Sequence, residues 1–171
     1  WRYFVPQEEL PGNWRLPGFD DSGWTDGPSG FGYGDNDDAT IVDQCMSVYI
    51  RLVFSVDQLP GILEAVMHVD YDDGFVAYLN GEEIARANIG VPGVIPAFDE
   101  PATNVAEPVI CYGGTPGAFP VDPALLVPGS NVLAIEVHNY NITSSDLTLI
   151  PFFSVLPESP LPNPSGTPPL L

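Results

Sequence analysis

The stretch Asp70-Tyr71-Asp72-Asp73-Gly74-Phe75-Val76-Ala77-Tyr78-Leu79-Asn80-Gly81 carries the strongest fold signal in this chain of 171 residues. Residues 75–79 form an apolar and aromatic run typical of a strand, and Asn80-Gly81 is the dipeptide most typical of a tight hairpin turn. Residues 83–87 follow at the distance expected for a partner strand. The stretch therefore predicts a β-hairpin that starts directly after an acidic turn.

Alternation of apolar and polar residues, the period of a half-buried strand, recurs on both sides of this hairpin. It is clearest in residues 47–56 and returns in residues 63–71, 131–139 and 147–155. Residues 123–126 have room for one helical turn, and residues 90–119 are interpreted as long loops. With 20 Pro and 17 Gly in the chain, long helices are excluded. We expect a single all-β domain with long Gly/Pro-rich loops.

The charge of the chain is strongly one-sided. It has 23 Asp and Glu residues against four Arg and no Lys, which gives a formal net charge of −19. A chain without a basic stripe cannot neutralise phosphates, so nucleic acid and anionic membranes are excluded as partners. Crowded carboxylates instead favour Ca²⁺, which takes oxygen ligands, as the cofactor. No apolar run is long enough to cross a bilayer, so we expect no membrane insertion.

The two cysteines, Cys45 and Cys111, fit neither a zinc knuckle nor a redox motif. A disulfide between them is the favoured interpretation, and two buried reduced thiols are the alternative. The chain starts at Trp1 without a leader-like segment, from which we expect a processed protein or an excised domain. Together these features predict an extracellular or cell-surface location.

Several motifs occur in a fixed order along the chain. They are Phe19-Asp20-Asp21-Ser22-Gly23-Trp24, Gly30-Phe31-Gly32-Tyr33-Gly34-Asp35, Tyr49-Ile50-Arg51-Leu52-Val53-Phe54, the hairpin at 72–81, Gly129-Ser130-Asn131-Val132-Leu133-Ala134-Ile135-Glu136-Val137-His138 and Ser144-Ser145-Asp146-Leu147. In these motifs the sequence resembles the galactose-binding-like jelly-roll modules of secreted bacterial multidomain proteins. The resemblance implies a two-sheet antiparallel jelly-roll β-sandwich over residues 1–156, and either sugar binding or accessory duty.

Two acidic loops are candidate metal sites. The pair Asp72 and Asp73 resembles the calcium-holding pair in lectin domains of the anthrax-protective-antigen type, and Asp70 beside it is a further candidate. Adjacent carboxylates also raise each other's proton affinity unless a cation lies between them. The alternative at this pair is a solvated turn whose Asp side chains accept backbone hydrogen bonds. The second loop holds Asp35, Asp37 and Asp38 but lacks the Gly and the distal Glu of an EF-hand, so it is a candidate only for a generic loop site.

Aromatic and amide side chains near these loops are candidate ligand-binding residues. Trp14 and Tyr33 lie in Gly-rich segments where they could stack on a sugar, although packing in the core is the commoner role for such residues. Tyr78 and Asn80 of the hairpin are further candidates. His138, two residues after Glu136, could ligate a metal, but a hydrogen-bonded histidine on a sheet is more usual. Asn141-Ile142-Thr143 is an N-glycosylation sequon.

The sequence favours a non-catalytic role. It has no nucleophile-elbow or zinc-protease motif, Gly30, Gly32 and Gly34 do not precede a helix, and nothing singles out a carboxylate pair. Residues 157–171 are rich in proline and predict an extended tail, either an assembly arm or an interdomain linker. We therefore expect a calcium-stabilised structural or adhesive subunit that self-associates, or docks on another extracellular protein, through this tail. The alternative is a calcium-dependent carbohydrate-binding module.

Overall fold

The computed structural model describes residues 1–34, 36–56 and 61–157. In these residues the chain forms eleven β-strands and two short 3-10 turns, Ile110–Tyr112 and Pro123–Leu125. The strands are β1 Arg2–Phe4, β2 Thr25–Asp26, β3 Phe31–Tyr33, β4 Thr40–Ile41, β5 Ser47–Val56, β6 Ile62–Asp72, β7 Gly74–Leu79, β8 Glu82–Ala87, β9 Gly117–Val121, β10 Gly129–His138 and β11 Leu147–Pro157.

The strands form two sheets that pack face to face. The six-stranded sheet has the order β2-β1-β5-β10-β7-β8, and the five-stranded sheet has the order β4-β3-β11-β6-β9. Every pairing is antiparallel except that of the short strands β3 and β4, which is parallel. The predicted all-β, two-sheet sandwich is therefore confirmed.

Along each long strand, every second side chain points into the space between the two sheets. The residues buried there come from both layers, and they include Val48, Ile50, Met67, Val69, Phe75, Leu133, Ile135, Leu147 and Leu149. Because successive strand residues point to opposite faces, Asp70, Asp72 and Thr148 lie on the outer face of the five-stranded sheet. This outer face is where the candidate site is built.

Much of the outer face of the six-stranded sheet is also buried, around Tyr49, Arg51 and Tyr78, although Val53 and Ser55 of β5 stay exposed. This corrects in part the prediction of half-buried strands with a polar outer face. The N-terminal segment covers this face and places Trp14 against the rings of Tyr49 and Tyr78. Arg51 is 2% exposed. It fixes the cover by donating to the carbonyl of Trp14 and, at 2.9 Å, to the carboxylate of Asp21. A second apolar cluster forms in this way outside the sandwich.

The long strands match their predicted bounds closely, and the Asn80-Gly81 turn joins β7 and β8 as expected. Both turn residues have positive φ, 52° and 93°, as a tight hairpin turn of this kind needs.

Strands β1 to β4 were not predicted, and the start of β9 lies in residues interpreted as loop. Strand β11 ends one residue beyond the predicted domain boundary, and residues 158–171 lie outside the described residues. Among the described residues, no helix has the length and apolar character that crossing a membrane requires.

Candidate metal centre

The acidic turn after β6 holds a neighbouring loop against the sheet. Asp70 accepts hydrogen bonds from the backbone N–H groups of Val109, at 2.9 Å, and Ile110, at 2.7 Å. Asp73 accepts one from Ala106 at 2.9 Å. The loop that contains residues 106–110 is therefore tied down at two points, on either side of Asp72.

Three carboxylates meet at the centre of this arrangement. Asp72, Glu107 and Asp146 each offer an oxygen, and these oxygens lie within 4.8 Å of one another. Asp72 comes from the end of β6, Glu107 from the tethered loop and Asp146 from the residue just before β11. We call these three residues the metal centre, because carboxylates gathered so closely repel one another unless a cation lies between them.

Burial makes the repulsion between these carboxylates stronger at Asp72. Asp72 is only 2% exposed. Burial, as the largest cause, together with the hydrogen bond to Asp73 and the nearby charges of Asp73, Asp146 and Glu107, raises the pKa of its carboxyl group to about 9. Near neutral pH, Asp72 therefore either keeps a proton or ionises beside a bound cation.

The single glycine of β3, Gly32, lets a second acidic loop approach this centre. Phe31 and Tyr33 point into the core, and Gly32 lies on the outer face, opposite Thr148 in the ladder. A Cβ atom on Gly32 would overlap the Leu147 carbonyl and the Asp38 carboxylate, so a side chain has no room there. The spacing of Gly30, Gly32 and Gly34 does not predict a phosphate site. Gly32 instead leaves room for the acidic loop that contains Asp38.

Thr148 joins the two acidic loops. It pairs with Gly32 on one side and with Asp72 on the other. Its hydroxyl donates to Asp37 Oδ1 at 3.2 Å, while Asp37 Oδ2 is buried without a hydrogen-bond partner in the described part of the chain. The two loops predicted as separate metal sites thus meet on one row of the sheet. Asp35, the remaining candidate, lies outside the described residues.

The donor set fits a hard divalent cation. All the side-chain donors at the metal centre are carboxylate oxygens, which Ca²⁺ accepts in a flexible shell of six to eight ligands. Zn²⁺ and Cu²⁺ favour imidazole or thiolate donors, which these three residues do not supply. Asp70 and Asp73 accept hydrogen bonds from backbone N–H groups with their carboxylate oxygens and so position the loop, whereas Asp72 is the acid of this turn that lies beside Glu107 and Asp146.

No family model and no curated protein matches the chain. Among solved structures, it is similar to a calcium-binding mutant of β-glucuronidase 2 from Bacteroides uniformis, at 15% identity and a TM-score of 0.49, over 86% of this chain and 17% of that one. It is also similar to a β-glycosidase from Bacteroides vulgatus, at 12% identity and a TM-score of 0.44, over 88% of this chain and 19% of the other.

A glycosyl hydrolase family 2 member from Bacteroides cellulosilyticus gives a similar result, with 13% identity and a TM-score of 0.44, over 88% of this chain and 20% of that chain. The chain therefore spans about a fifth, or less, of each of these proteins. At such identities and TM-scores, the likeness carries no information about what this chain binds or does. The resemblance to galactose-binding-like modules stays a prediction.

Three of the predicted ligand-binding side chains are engaged inside the fold. Trp14 is 1% exposed, and Tyr78 is buried and donates to Glu136 Oε1 at 2.8 Å. Asn80 shapes the hairpin turn, since its side chain donates to the Leu125 carbonyl and accepts from the Val132 N–H. The covering N-terminal segment, which carries no periodic signal, is what removes the first two from solvent.

Tyr33 has a structural position as well. It is buried, its hydroxyl donates to the Ser144 carbonyl at 3.3 Å, and it accepts from Asn139 Nδ2 at 2.9 Å. These bonds brace the loop between β10 and β11. Asn141 in that same loop is exposed, and its side-chain oxygen accepts from the N–H and hydroxyl of Thr143. The sequon is therefore on the surface.

The predicted disulfide is not formed. Cys45 is buried beside β5, where burial raises the pKa of its thiol to about 11. Cys111 lies exposed in the first 3-10 turn. The two side chains belong to different environments, one in the core and one at the surface, and the fold does not bring them into a bond.

Glu136 and His138 also lie in the interior instead of on an open polar face. Both are fully buried, His138 Nε2 is 3.4 Å from Glu136 Oε2, and His138 Nδ1 is 2.9 Å from the Glu100 carbonyl. Their polar atoms are used within the fold, so neither side chain is placed to contact a metal at the centre described above.

Sequence reasoning found Asp72 but missed its two partners. Asp146 lies in the motif Ser144-Ser145-Asp146-Leu147. The only local signal for it is a single aspartate directly before a predicted strand. Glu107 has no local signal, since it is an isolated acid in a proline-containing loop. Its position depends on the tethers that Asp70 and Asp73 provide from a distant part of the chain.

Proposed function

We propose that this chain is a non-catalytic extracellular β-sandwich module that Ca²⁺ stabilises at the metal centre. One observation carries the proposal: the buried carboxyl group of Asp72 faces Glu107 and Asp146, and its pKa is raised to about 9. A cation that binds there removes the repulsion and ties three separate segments together. Binding energy of this kind adds directly to the stability of the folded state.

The proposed location is consistent with the composition of the site. Extracellular calcium modules bind with dissociation constants of about 10⁻⁴ to 10⁻³ M, because they work in a calcium-rich medium. A centre with three carboxylates, one of them exposed, suits that range. The remaining ligands would be backbone carbonyls and water, which complete the shell in other calcium sites.

Calcium titration of thermal stability tests this proposal. The chelated protein is titrated with CaCl₂, with MgCl₂ in a parallel series, and the melting temperature is followed. At a hundredfold excess over the dissociation constant we expect a rise of about 5–10 °C for a chain of this size. Mg²⁺ should give a smaller shift, since it demands a stricter geometry and gives up its water reluctantly.

Single substitutions test whether the calcium-dependent rise in melting temperature arises at the metal centre. Asp72→Asn and Asp146→Asn should each abolish most of the calcium-dependent shift, while Asp43→Asn, at an exposed aspartate outside the centre, should leave it unchanged. Isothermal titration of the same variants measures calcium binding directly, independent of stability. A wild-type protein that binds no Ca²⁺ at millimolar concentration would remove the metal from the proposal.

A second candidate function is assembly through the proline-rich tail. Residues 158–171 lie outside the described residues, so this stays a prediction from the sequence. It is supported by the strand that leads into the tail, because Phe152 and Leu156, which share the outer face of β11, are each roughly half exposed. Exposed apolar side chains of this kind mark interaction surfaces when they are contiguous.

Truncation separates the two candidates. Sedimentation velocity of the full chain and of a chain ending at Pro157 compares their association at equal concentration. Assembly through the tail predicts that oligomers are lost on truncation while the calcium-dependent thermal shift is kept. An identical distribution of species in the two samples would exclude the tail as the assembly element.

A further inference from the structure

A cleft of about 570 Å³ opens at one end of the sandwich, a volume within the range of ligand-binding clefts. It lies between the loop before β5, the loop that contains residues 98–101 and the loop between β10 and β11. Its walls are mainly apolar, and they include Pro6, Phe98, Pro101, Tyr140 and Ile142. Tyr140 and Ile142 are each roughly half exposed, so the cleft presents apolar surface to the outside.

Hydrogen bonds between the loops hold the cleft in shape. Asn139, at the start of the loop between β10 and β11, donates from its side chain to the Cys45 carbonyl at 2.7 Å. Ser47, the first residue of β5, donates to the Phe98 carbonyl at 2.6 Å. All three loops are thus connected, and a surface that is already ordered loses less entropy when a partner binds.

The lining matches the way in which proteins recognise proline-rich segments. Such segments dock in grooves lined by aromatic side chains, since they are already extended and lose little entropy on binding. Phe98 and Tyr140 supply aromatic surface here. Proline has no backbone N–H, so a proline-rich ligand offers carbonyl acceptors and needs donors on the receiving surface. The amide side chains of Gln7 and Asn141, which also line the cleft, are donors of this kind.

The chain itself contains a segment with the matching chemistry. Its proline-rich tail, residues 158–171, holds five prolines and three leucines and a single charged side chain, Glu158. Among the described residues that line the cleft, Asp99 alone is charged. A chain with a net charge of −19 repels a second copy. Contact between these two regions adds little to that repulsion, because each carries one charged side chain.

The cleft and the start of the tail lie at opposite ends of the sandwich. β10 ends at His138 and β11 begins at Leu147, and the loop between them forms part of the cleft. β11 then runs for 11 residues to Pro157. At a rise of about 3.3 Å per residue, this strand carries the chain about 33 Å away from the cleft.

This distance excludes the cleft of the same copy for the first prolines of the tail. Pro164 is the seventh residue after Pro157, and a fully extended chain covers at most about 25 Å over seven residues. That reach is shorter than β11. Pro160, Pro162 and Pro164 therefore reach such a cleft only on another copy.

We propose that the cleft at Tyr140 receives the proline-rich tail of a second copy of this chain. The inference rests on the second candidate function, assembly through the tail, and adds the surface that receives it. Because the tail starts at one end of a copy and the cleft lies at the other, each copy binds one neighbour at each end. Such a contact is heterologous, so it builds a ring or an open filament.

Two complementary variants of the full chain test this arrangement. The cleft variant is Tyr140→Ala, and the tail variant combines Pro160→Ala, Pro162→Ala and Pro164→Ala. Sedimentation velocity is measured over a concentration series, with excess CaCl₂ and enough NaCl to screen the charge of the chain. We expect wild type to form larger species as its concentration rises, and each variant alone to stay monomeric.

A mixture of the two variants is the most specific measurement. The cleft variant still has an intact tail, and the tail variant still has an intact cleft, so one mixed pair has one complete contact. The mixture should form a species of two copies and nothing larger, whereas wild type continues to larger species. A mixture that stays monomeric while wild type associates would overturn the head-to-tail arrangement.

Matched variants show whether the effect belongs to the cleft. Ile142→Ser, at a second exposed side chain of the cleft, should lose association as Tyr140→Ala does. Tyr112→Ala, at an exposed tyrosine outside the cleft, should associate as wild type does. All three side chains are about half exposed or more, so the melting temperatures should stay near that of wild type.

A synthetic peptide of residues 158–171 measures the contact without assembly. Followed by fluorescence anisotropy, the labelled peptide should bind the tail variant, whose cleft is intact, and fail to bind Tyr140→Ala. A peptide with alanine in place of the three substituted prolines is the control, and it should bind neither protein. Equal binding of the first peptide to both variants would overturn the assignment of the cleft.

The outcomes separate the inference from the proposed function. If the tail variant is monomeric while Tyr140→Ala and Ile142→Ser still associate, assembly through the tail stands and the inference is overturned. If wild type is monomeric at every concentration, the second candidate function and the inference both fail. A peptide that still binds at Tyr140 would then show that the cleft takes a proline-rich segment of a different protein. Calcium binding is measured separately, and its failure would remove the metal centre alone.

Discussion

Asp73 Oδ2 accepts a hydrogen bond of 2.6 Å from the backbone N–H of Tyr140, and Asp73 Oδ1 accepts another from the N–H of Ala106. One buried carboxylate therefore connects the acidic turn with the two loops that supply Glu107 and Asp146. Hydrogen bonds to an ionised acceptor are among the stronger ones in proteins. Asp73 therefore positions the two loops that carry Glu107 and Asp146 next to the acidic turn.

Asp73→Ala should lower the free energy of unfolding by about 2 kcal/mol, because it leaves two backbone donors without their charged acceptor. Asp73→Asn keeps one side-chain oxygen as an acceptor, so we expect a smaller loss. Urea unfolding in the presence of chelator measures both variants without a contribution from calcium. Equal stability of wild type and Asp73→Ala would contradict the role assigned to this residue.

The metal-free protein should become less stable as the pH rises. The ordinary pKa of an Asp is 3.8, and burial raises that of Asp72 to about 9. Between these values the folded state keeps a proton that the unfolded state has released. Stability from this group is therefore complete below about pH 4 and is lost progressively towards pH 9. Urea unfolding in chelator from pH 5 to pH 8.5 measures the trend.

Asp72→Asn provides the matched control for that series, since an amide cannot ionise. Its stability in chelator should fall less steeply with pH than that of wild type, and the difference between the two curves isolates Asp72 from other titrating groups. With excess CaCl₂ the wild-type decline should shrink, because the cation replaces the proton. Parallel curves for the two proteins in chelator would show that Asp72 does not titrate in this window.

The long strands could be predicted because their signal is local. In β5, the alternation of Val48 and Ile50 with Tyr49 and Arg51 shows the period of a strand whatever covers it. Strands β2 and β4 have two residues each, too few for a period to appear. They exist because distant partners pair with them. The burial of Tyr49 and Arg51 likewise follows from the N-terminal cover, which the alternation itself does not encode.

The residues of the candidate site also differ in whether a local sequence pattern predicts them or only the fold brings them together. Asp72 was predicted since consecutive acids beside a glycine form a local pattern with a known ligand chemistry. Glu107 and Asp146 join it through the fold, over distances that no local pattern describes.

The two cysteines should differ in reactivity. The thiolate is the reactive form, and burial raises the pKa of the Cys45 thiol to about 11, with Asp43 adding to the rise. Cys111 is exposed. Intact mass after iodoacetamide treatment at pH 8 should show one fast adduct, absent in Cys111→Ser, and a second only after unfolding. A protein that takes up no label when unfolded without reductant would contain the disulfide that the fold lacks.

Gly32 should tolerate no side chain. A Cβ atom there would overlap the Leu147 carbonyl oxygen, which belongs to the paired strand β11, and Asp38 Oδ2, which belongs to the second acidic loop. Gly32→Ala must therefore push β11 away from β3 or displace the second acidic loop. We expect a loss of about 3 kcal/mol, the upper end of the cost typical of overpacking, because one of the overlapped atoms is a backbone oxygen.

Gly23→Ala is the matched control for this substitution. Nothing lies within 4 Å of a Cβ atom built there, and the residue has no positive φ, so its stability should stay within about 0.5 kcal/mol of wild type. Calcium affinity gives a second readout. Because Gly32 lies opposite Thr148 and Thr148 opposite Asp72, the displacement in Gly32→Ala should also weaken calcium binding, even if the variant still folds. If Gly32→Ala matched Gly23→Ala in both measurements, Gly32 would have no part in building the site.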